Sequence, residues 1–376
     1  MFKMAKSKME IINKPISTSK STFNKVQVID LLDFAEQLGC KELHMVTDQE
    51  SGLKGIVAIY SVKLGPALGG CRFLPYATTN LAAIDAIKLA KAMAFKSAIA
   101  GLPLGGGKAV LICSKKFINL DNRMKALKAF GRFLNTLNGR YITAVDSGTS
   151  IEDMDQIATE TTFVTSTSKF SYSILDPSVL TARGVLRGIL AAVKFKFAKD
   201  DLQNIHVAVQ GVGHVGYHLV KLLYSMQAKI SICDIDPKLI NRCKAEFTGI
   251  NIINPEDIYK VNADVFAPCA LGGVLNEKNI DQLKVKIVAG AANNQLENDN
   301  NAEYLFQRGI VYSPDFVINA GGVIHVAGPV MKQTEQQTLE KVDNIYNILL
   351  NIFEMSSKQN INTYQIAYNI ASDKLQ

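Results

Sequence analysis

The chain has 376 residues, 48% of them hydrophobic, which is enough for about two domains of ~150 residues and excludes a peptide or disulfide-stapled mini-protein. Its six cysteines (Cys40, Cys71, Cys113, Cys233, Cys243, Cys269) contain no C-x-x-C pair, so neither a zinc ribbon nor a secreted disulfide framework is expected, and a reducing cytoplasm fits best. The net charge of +7 does not mark a nucleic-acid binder: residues 1–25 hold six lysines against one acid, leaving +2 for the other 351 residues.

Residues 1–26 lack both an apolar h-region and arginine and read as a flexible basic tail, not a secretory or transit signal. Hydrophobic periodicity predicts a helix at 28–38 and strands at 44–47 and 53–62. GPALGGCRF (65–73) reads as a glycine-rich turn closing that strand pair, and Thr78 or Thr79 then caps an Ala/Leu/Ile-rich helix running to Phe95. A second glycine loop, AGLPLGGGK (100–108), leads into an uncharged strand at 109–113. An amphipathic helix follows at 121–137, and RYITAVDSGTS (140–150) reads as a strand ending in a polar turn. After a Ser/Thr-rich passage (159–173) and the Asp176–Pro177 break, a helix is predicted at 179–193.

From there short apolar runs at 205–210, 229–234, 263–268, 286–291 and 309–314 alternate with helical spacers, the signature of βαβ units in a parallel sheet. Residues 335–371 read as amphipathic helix. The longest stretch without a charged residue, 202–220, contains three glycines, three histidines, two glutamines and an asparagine, so no membrane span is predicted. The expected fold class is α/β in two domains. An N-terminal α/β domain occupies 27–165, completed by helices from 335–376, and a doubly wound Rossmann domain occupies 178–334.

Gly211-Val-Gly213-His-Val-Gly216 follows the strand 205–210 and opens a helix, the context that the G-x-G-x-x-G fingerprint requires. The first glycine permits the tight turn, the second lets backbone approach a pyrophosphate, and the third lets helix pack on strand. Asp234 ends the next strand, where a carboxylate hydrogen-bonds the adenosine ribose and repels a 2′-phosphate, so NAD is predicted over NADP. His214 and His218 stand at i, i+4 but have no third ligand nearby in sequence, and no metal site is predicted.

Lys108 follows three glycines, yet the Walker spacing fails because Gly107, Lys108 and Ala109 stand where a lysine and then Ser or Thr are needed. The glycines instead let backbone and substrate come close to a lysine on a rigid strand start. Lys96, near the end of its helix, leaves the solvent stripe of Lys88 and Lys91 and either snorkels or points into a cleft. Asp146 ends the strand YITAV, where a carboxylate beside a lysine exchanges protons with substrate or else caps the helix near 150–158.

At these residues the sequence resembles the Glu/Leu/Phe/Val dehydrogenase superfamily, most of all its leucine dehydrogenase branch. The resembling blocks are GPALGG (65–70), LPLGGGKAV (102–110), LNGRYITAVDSGTS (137–150), VAVQGVGHVG (207–216), FAPCALGG (266–273), AGAANNQLEN (289–298) and SPDFVINAGGVI (313–324). The resemblance implies reversible, NAD-dependent oxidative deamination of an L-amino acid, leucine or another branched-chain one, to a 2-oxo acid and ammonia by a homo-oligomer, with the N-terminal domain as substrate domain and the two domains flanking an active-site cleft. Lys108 and Asp146 match its catalytic pair, and Lys96 matches the lysine that holds the substrate α-carboxylate. Gly69 and Gly70 match the loop near that carboxylate, and Asn293 matches an asparagine beside nicotinamide and amino group. His214, Val215, Thr181, Cys269 and Ala270 join the three glycines and Asp234 as implied cofactor contacts.

Leu68, Ala144, Val323 and Val326 match the side-chain pocket. All four are apolar, whereas glutamate dehydrogenases carry a lysine and a serine at the places of Leu68 and Val326. Burying a distal carboxylate without a partner costs several kcal/mol, which disfavours glutamate. Val145, Ser147 and His325 depart from the leucine pattern. An aromatic amino acid dehydrogenase and a catalytically silent NAD- or amino-acid-binding regulator are the alternatives.

Overall fold

The computed structural model describes residues 30–169 and 176–376. The predicted tail at 1–26 and part of the Ser/Thr-rich passage lie outside these residues. Asp30 caps helix α1 (Leu31–Leu38), accepting from the amides of Leu32 and Asp33, and Gly39 ends it in the left-handed region.

The first half is a five-stranded mixed sheet in the order β1-β2-β4-β3-β5. Its strands are β1 (Glu42–Asp48), β2 (Leu53–Ser61), β3 (Ala67–Leu74), β4 (Gly105–Ile112) and β5 (Tyr141–Val145). Helix α2 (Thr79–Ile99), capped by Thr78, covers one face through Ala82, Ala86, Ile87 and Ala90, which pack on Ile56, Ala58 and Val110. Helices α3 (Leu120–Thr136) and α4 (Ile151–Ala158) cover the other through Leu127, Phe130, Leu134, Met154 and Ile157.

Two segments read as glycine-rich loops, 65–73 and 100–108, turn only at their starts and continue as strands. β3 runs through Gly69 and Gly70 and pairs in parallel with both β4 and β5, and β4 begins at Gly105 rather than at residue 109. Turn composition misleads here because these glycines serve close approach inside a sheet. A Cβ on Gly69 would lie 1.8 Å from Gly107 O, and one on Gly106 would lie 2.0 Å from the Ala94 N of α2.

The second half begins at helix α5 (Pro177–Phe197) and carries an all-parallel sheet in the order β11-β10-β9-β6-β7-β8. The strands are β6 (His206–Gln210), β7 (Lys229–Cys233), β8 (Asn251–Ile252), β9 (Val265–Pro268), β10 (Ile287–Val288) and β11 (Val311–Tyr312). Between them run α6 (His214–Ser225), α7 (Pro237–Glu246), α8 (Glu277–Gln282) and α9 (Asn300–Gln307). The direction of winding reverses between β6 and β9, and there the sheet opens a crevice at its carboxyl edge.

Past β11 come α10 (Asp315–Ile318), α11 (Gly321–Val330), α12 (Glu335–Asp343), α13 (Ile345–Gln359) and α14 (Thr363–Leu375). The amphipathic helical segment expected over 335–371 comprises three helices, parted at Asn344 and again at Asn360, whose φ of 54° is left-handed. Helices α11, α12 and α13 pack on α5, while α14 crosses to α2, where Phe95 meets Tyr368 and Lys374 Nζ donates to Ala98 O.

Candidate active site

Side chains alternate faces along a strand, and the register of β4, β3 and β5 turns that alternation into a constellation. Leu68 stands opposite Gly106 and Ile142, and Cys71 opposite Ala109 and Val145. Leu68, Gly70 and Arg72 therefore share one face with Lys108 of β4 and with Ala144 and Asp146 of β5, the face that α2 covers. Lys108 is 4% exposed, and its Nζ lies 2.8 Å from Asp146 Oδ2. Gly70 leaves the space this pair needs: a Cβ there would lie 2.6 Å from Asp146 Cβ and 3.1 Å from Lys108 Nζ.

Asp146 does not cap the following helix. Ser150 does, in a capping box with Asp153, while the Asp146 amide donates to Thr149 Oγ1. Burial raises the affinity of its carboxyl for a proton, but the charges and hydrogen bonds of Lys108 and Arg72 outweigh burial and hold it below the usual carboxylate range.

Lys96 enters from α2. Burial pushes its pKa down to about 8, Lys108 adding to the effect and Asp315 opposing it. Its Nζ donates across the cleft to Asn293 Oδ1 at 3.3 Å, and Asn319 Nδ2 donates to the same oxygen at 3.0 Å. Asp315 sits beyond Lys96, accepting from the Gln295 and Phe316 amides, and burial raises its pKa.

These residues meet in one cavity of about 290 Å³. The first sheet contributes Leu68, Gly69, Gly70, Lys108, Ala144 and Asp146, α2 contributes Lys96, and the second half closes it with Thr181, Val215, Asn293, Asn319, Val323 and Val326. Of the residues singled out in the sequence, Gly211, Gly213, His214, Gly216, Asp234, Cys269 and Ala270 do not line this cavity. They lie at the crevice between β6 and β9, where Cys269 N donates to Gln210 O and a Cβ on Gly211 would lie 2.7 Å from Ala270 Cβ.

The crevice fits a dinucleotide. Gly211 has a φ of 91°, Gly216 abuts Gly211 O where a Cβ would come within 2.0 Å, and nothing approaches a Cβ position on Gly213. Helix α6 begins there with no side-chain cap, so its first amides remain for a phosphate. Asp234 ties the loop down, Oδ2 accepting from Val212 N at 2.8 Å and Oδ1 from Asp236 N at 2.9 Å. On the cavity side Asn319 Oδ1 is buried without a hydrogen-bond partner among the described residues, an acceptor that a carboxamide would satisfy. No group of three or more His, Cys, Asp and Glu among the described residues is arranged to hold a metal ion, and no helix among them is long and apolar enough to cross a membrane.

Comparison with known proteins decides the family. The Glu/Leu/Phe/Val dehydrogenase dimerisation domain matches residues 40–163, and the Glutamate/Leucine/Phenylalanine/Valine dehydrogenase domain matches 236–376. The chain belongs to the Glu/Leu/Phe/Val dehydrogenase family. It is thus an amino acid dehydrogenase that uses a nicotinamide cofactor. Among members of this family, the leucine dehydrogenase of Thermoactinomyces intermedius is 44% identical over 92% of this chain and 93% of its own length. That of Bacillus cereus is 43% identical over 92% and 94%. The crystal structure of L-tryptophan dehydrogenase from Nostoc punctiforme superposes with a TM-score of 0.81 at 38% identity, covering 92% of this chain and 98% of that one.

Sequence reasoning missed Arg72, Asp85, Asp315 and Asn319. Arg72, Asp315 and Asn319 lie within noted motifs (GPALGGCRF, SPDFVINAGGVI) and were legible there, whereas Asp85 reaches the site only through the packing of α2 on the sheet.

Proposed function

We propose that the protein catalyses reversible, NAD-dependent oxidative deamination of L-leucine and other branched-chain L-amino acids to the 2-oxo acid and ammonia. The observation that carries this reading is that Lys96, Lys108 and Asp146 line one cavity with the apolar Leu68, Ala144, Val323 and Val326. The identity with proteins named leucine dehydrogenase supports it.

In this reading the first sheet and α2 form the substrate half and residues from α5 onward the dinucleotide half. Bound nicotinamide supplies the acceptor for the hydride of the substrate α-carbon. Lys96, as the ammonium, pairs with the α-carboxylate and sets the amino acid against Gly69 and Gly70. Asp146 first takes a proton from the substrate ammonium. Once the α-carbon is oxidised to the iminium, water adds to it. Lys108, as the free amine 2.8 Å from Asp146, then takes the proton of the adding water. Asp146 returns its proton to the carbinolamine nitrogen, and ammonia leaves as the carbinol O–H proton passes back to Asp146 and the carbonyl forms.

Among the described residues the cations that line the cavity are Lys96 and Lys108, which this reading commits to the α-carboxylate and to the chemistry, so the distal carboxylate of glutamate would be buried unpaired. The Asp234 carboxylate supports NAD, since a 2′-phosphate there would meet like charge. The match to a dimerisation domain supports a homo-oligomer, and six free thiols support a reducing, cytoplasmic setting.

The test is NADH formation from a panel of L-amino acids at alkaline pH. Leucine, valine and isoleucine should lead. Glutamate in front overturns the pocket argument, and phenylalanine or tryptophan in front assigns the aromatic alternative. NAD binding without turnover, unchanged by Lys108→Ala, assigns a silent regulator.

A further inference from the structure

Arg72 lies beside the reacting pair without lining the substrate cavity, and both ends of its guanidinium are engaged. Nε donates to Asp146 Oδ2 at 3.0 Å, and Nη1 donates to Asp85 Oδ2 at 2.9 Å. Asp85 belongs to α2 and also accepts from Tyr76 OH. Lys108 Nζ contacts the same oxygen of Asp146 that Arg72 does. One carboxylate oxygen is thus clamped by two cations from neighbouring strands, and the clamp is anchored to the helix that carries Lys96.

We propose that Arg72, tied through Asp85 to α2, is a positioning residue that fixes Asp146 by Oδ2 so that Oδ1 is the oxygen presented to the substrate nitrogen. This rests on the reading of Asp146 given above. A planar fork suits the task because it holds two carboxylates at a set distance, which a lysine cannot do. It explains why a charge that makes no contact with the cavity sits half-buried beside it. The carboxylate also feels Lys108 from β4, Cys71 from β3 and Tyr141 from β5. Among the described residues only Lys108 and Arg72 bring positive charge to it by direct contact. Removing Arg72 therefore leaves Asp146 easier to protonate and freer to turn.

The experiment compares Arg72→Gln, Arg72→Lys, Asp85→Asn and Asp146→Asn in the full chain, measuring kcat and KM for L-leucine with saturating NAD across pH. For R72Q, kcat should fall by about ten- to a hundredfold while KM stays within about threefold. Its acid limb should move up by about one pH unit. R72K keeps the charge without the fork, and should restore the acid limb more fully than kcat. D85N leaves the charge of Arg72 in place but removes the carboxylate that anchors its far end, and should lower kcat by about three- to tenfold with the acid limb unmoved.

Wild-type kcat and acid limb in R72Q overturn the inference, as does a wild-type kcat in D85N. Should R72Q fail to fold, D85N decides alone by the same criterion. D146N separates the two claims: full activity there overturns the role of Asp146 itself, whereas an inactive D146N beside an unchanged R72Q overturns only the positioning role.

Discussion

Lys96 and Asn293 are joined across the cleft by a 3.3 Å hydrogen bond, one from the helix over the first sheet and the other from a loop of the second half. Because burial lowers the Lys96 pKa to about 8, its ammonium is complete below that pH and is lost above it. Carboxylate binding needs the ammonium. The Kd of the unreactive analogue 4-methylpentanoate, read by competition with leucine, should be flat below about pH 8 and rise about tenfold per unit above it. A Kd constant to pH 10 would contradict this assignment of Lys96.

The two glycines of β3 should fail differently when replaced. A Cβ on Gly69 meets the backbone of Gly107, which belongs to the neighbouring strand and cannot turn aside. Gly69→Ala should cost about 3 kcal/mol or more and show as a lower Tm in thermal melts. A Cβ on Gly70 meets the side chains of Asp146 and Lys108 instead. Gly70→Ala should keep a Tm within a few degrees of wild type and lose about a hundredfold in kcat.

Substrate ranking should respond to wall volume. Ala144 is buried on the face shared with Lys108, and its methyl is part of the pocket wall. Ala144→Gly should lower kcat/KM for leucine and raise it for phenylalanine. The ratio between them should shift by about 10- to 200-fold, the worth of one or two methylenes. An unchanged ratio in parallel assays would remove Ala144 from the pocket.

Asp234 carries both a structural and an electrostatic task. Asp234→Ser removes the carboxylate that ties Val212 N and the like charge that a 2′-phosphate would meet. The KM for NAD should rise by about tenfold, and the NADP to NAD ratio of kcat/KM should rise further. Initial rates with both cofactors check it.

Much of the second half could be read from sequence because its signals are local. A glycine after β6, a helix beginning three residues later and an acid after β7 lie within one βαβ unit. In the first half the same glycine cue misled. Gly69, Gly70 and Gly105 to Gly107 look like turns, yet they are strand residues chosen so that backbone and helix can touch. The lysines and Asp146 were visible as types at strand and helix ends. Their meeting with Arg72 and Asp85 was not, because Asp85 reaches the site only through the docking of α2 on the sheet. The breaks at Asn344 and Asn360 were hidden for a related reason: amphipathic periodicity continues across them while the backbone turns to carry α14 back to α2.

The parallel register of β3 with β4 and β5 works as a vernier. Lys108, Gly70 and Asp146 come from segments spread over more than seventy residues of chain, and only their alignment as rungs puts an amine, a gap and a carboxylate side by side. A slip of a single rung would send Lys108 to the opposite face, among Leu127 and Phe130, and the chain would lose its chemistry with every strand still paired. The same rung that keeps Lys108 out of the apolar core therefore also makes it a reagent, so stability and activity select one register together.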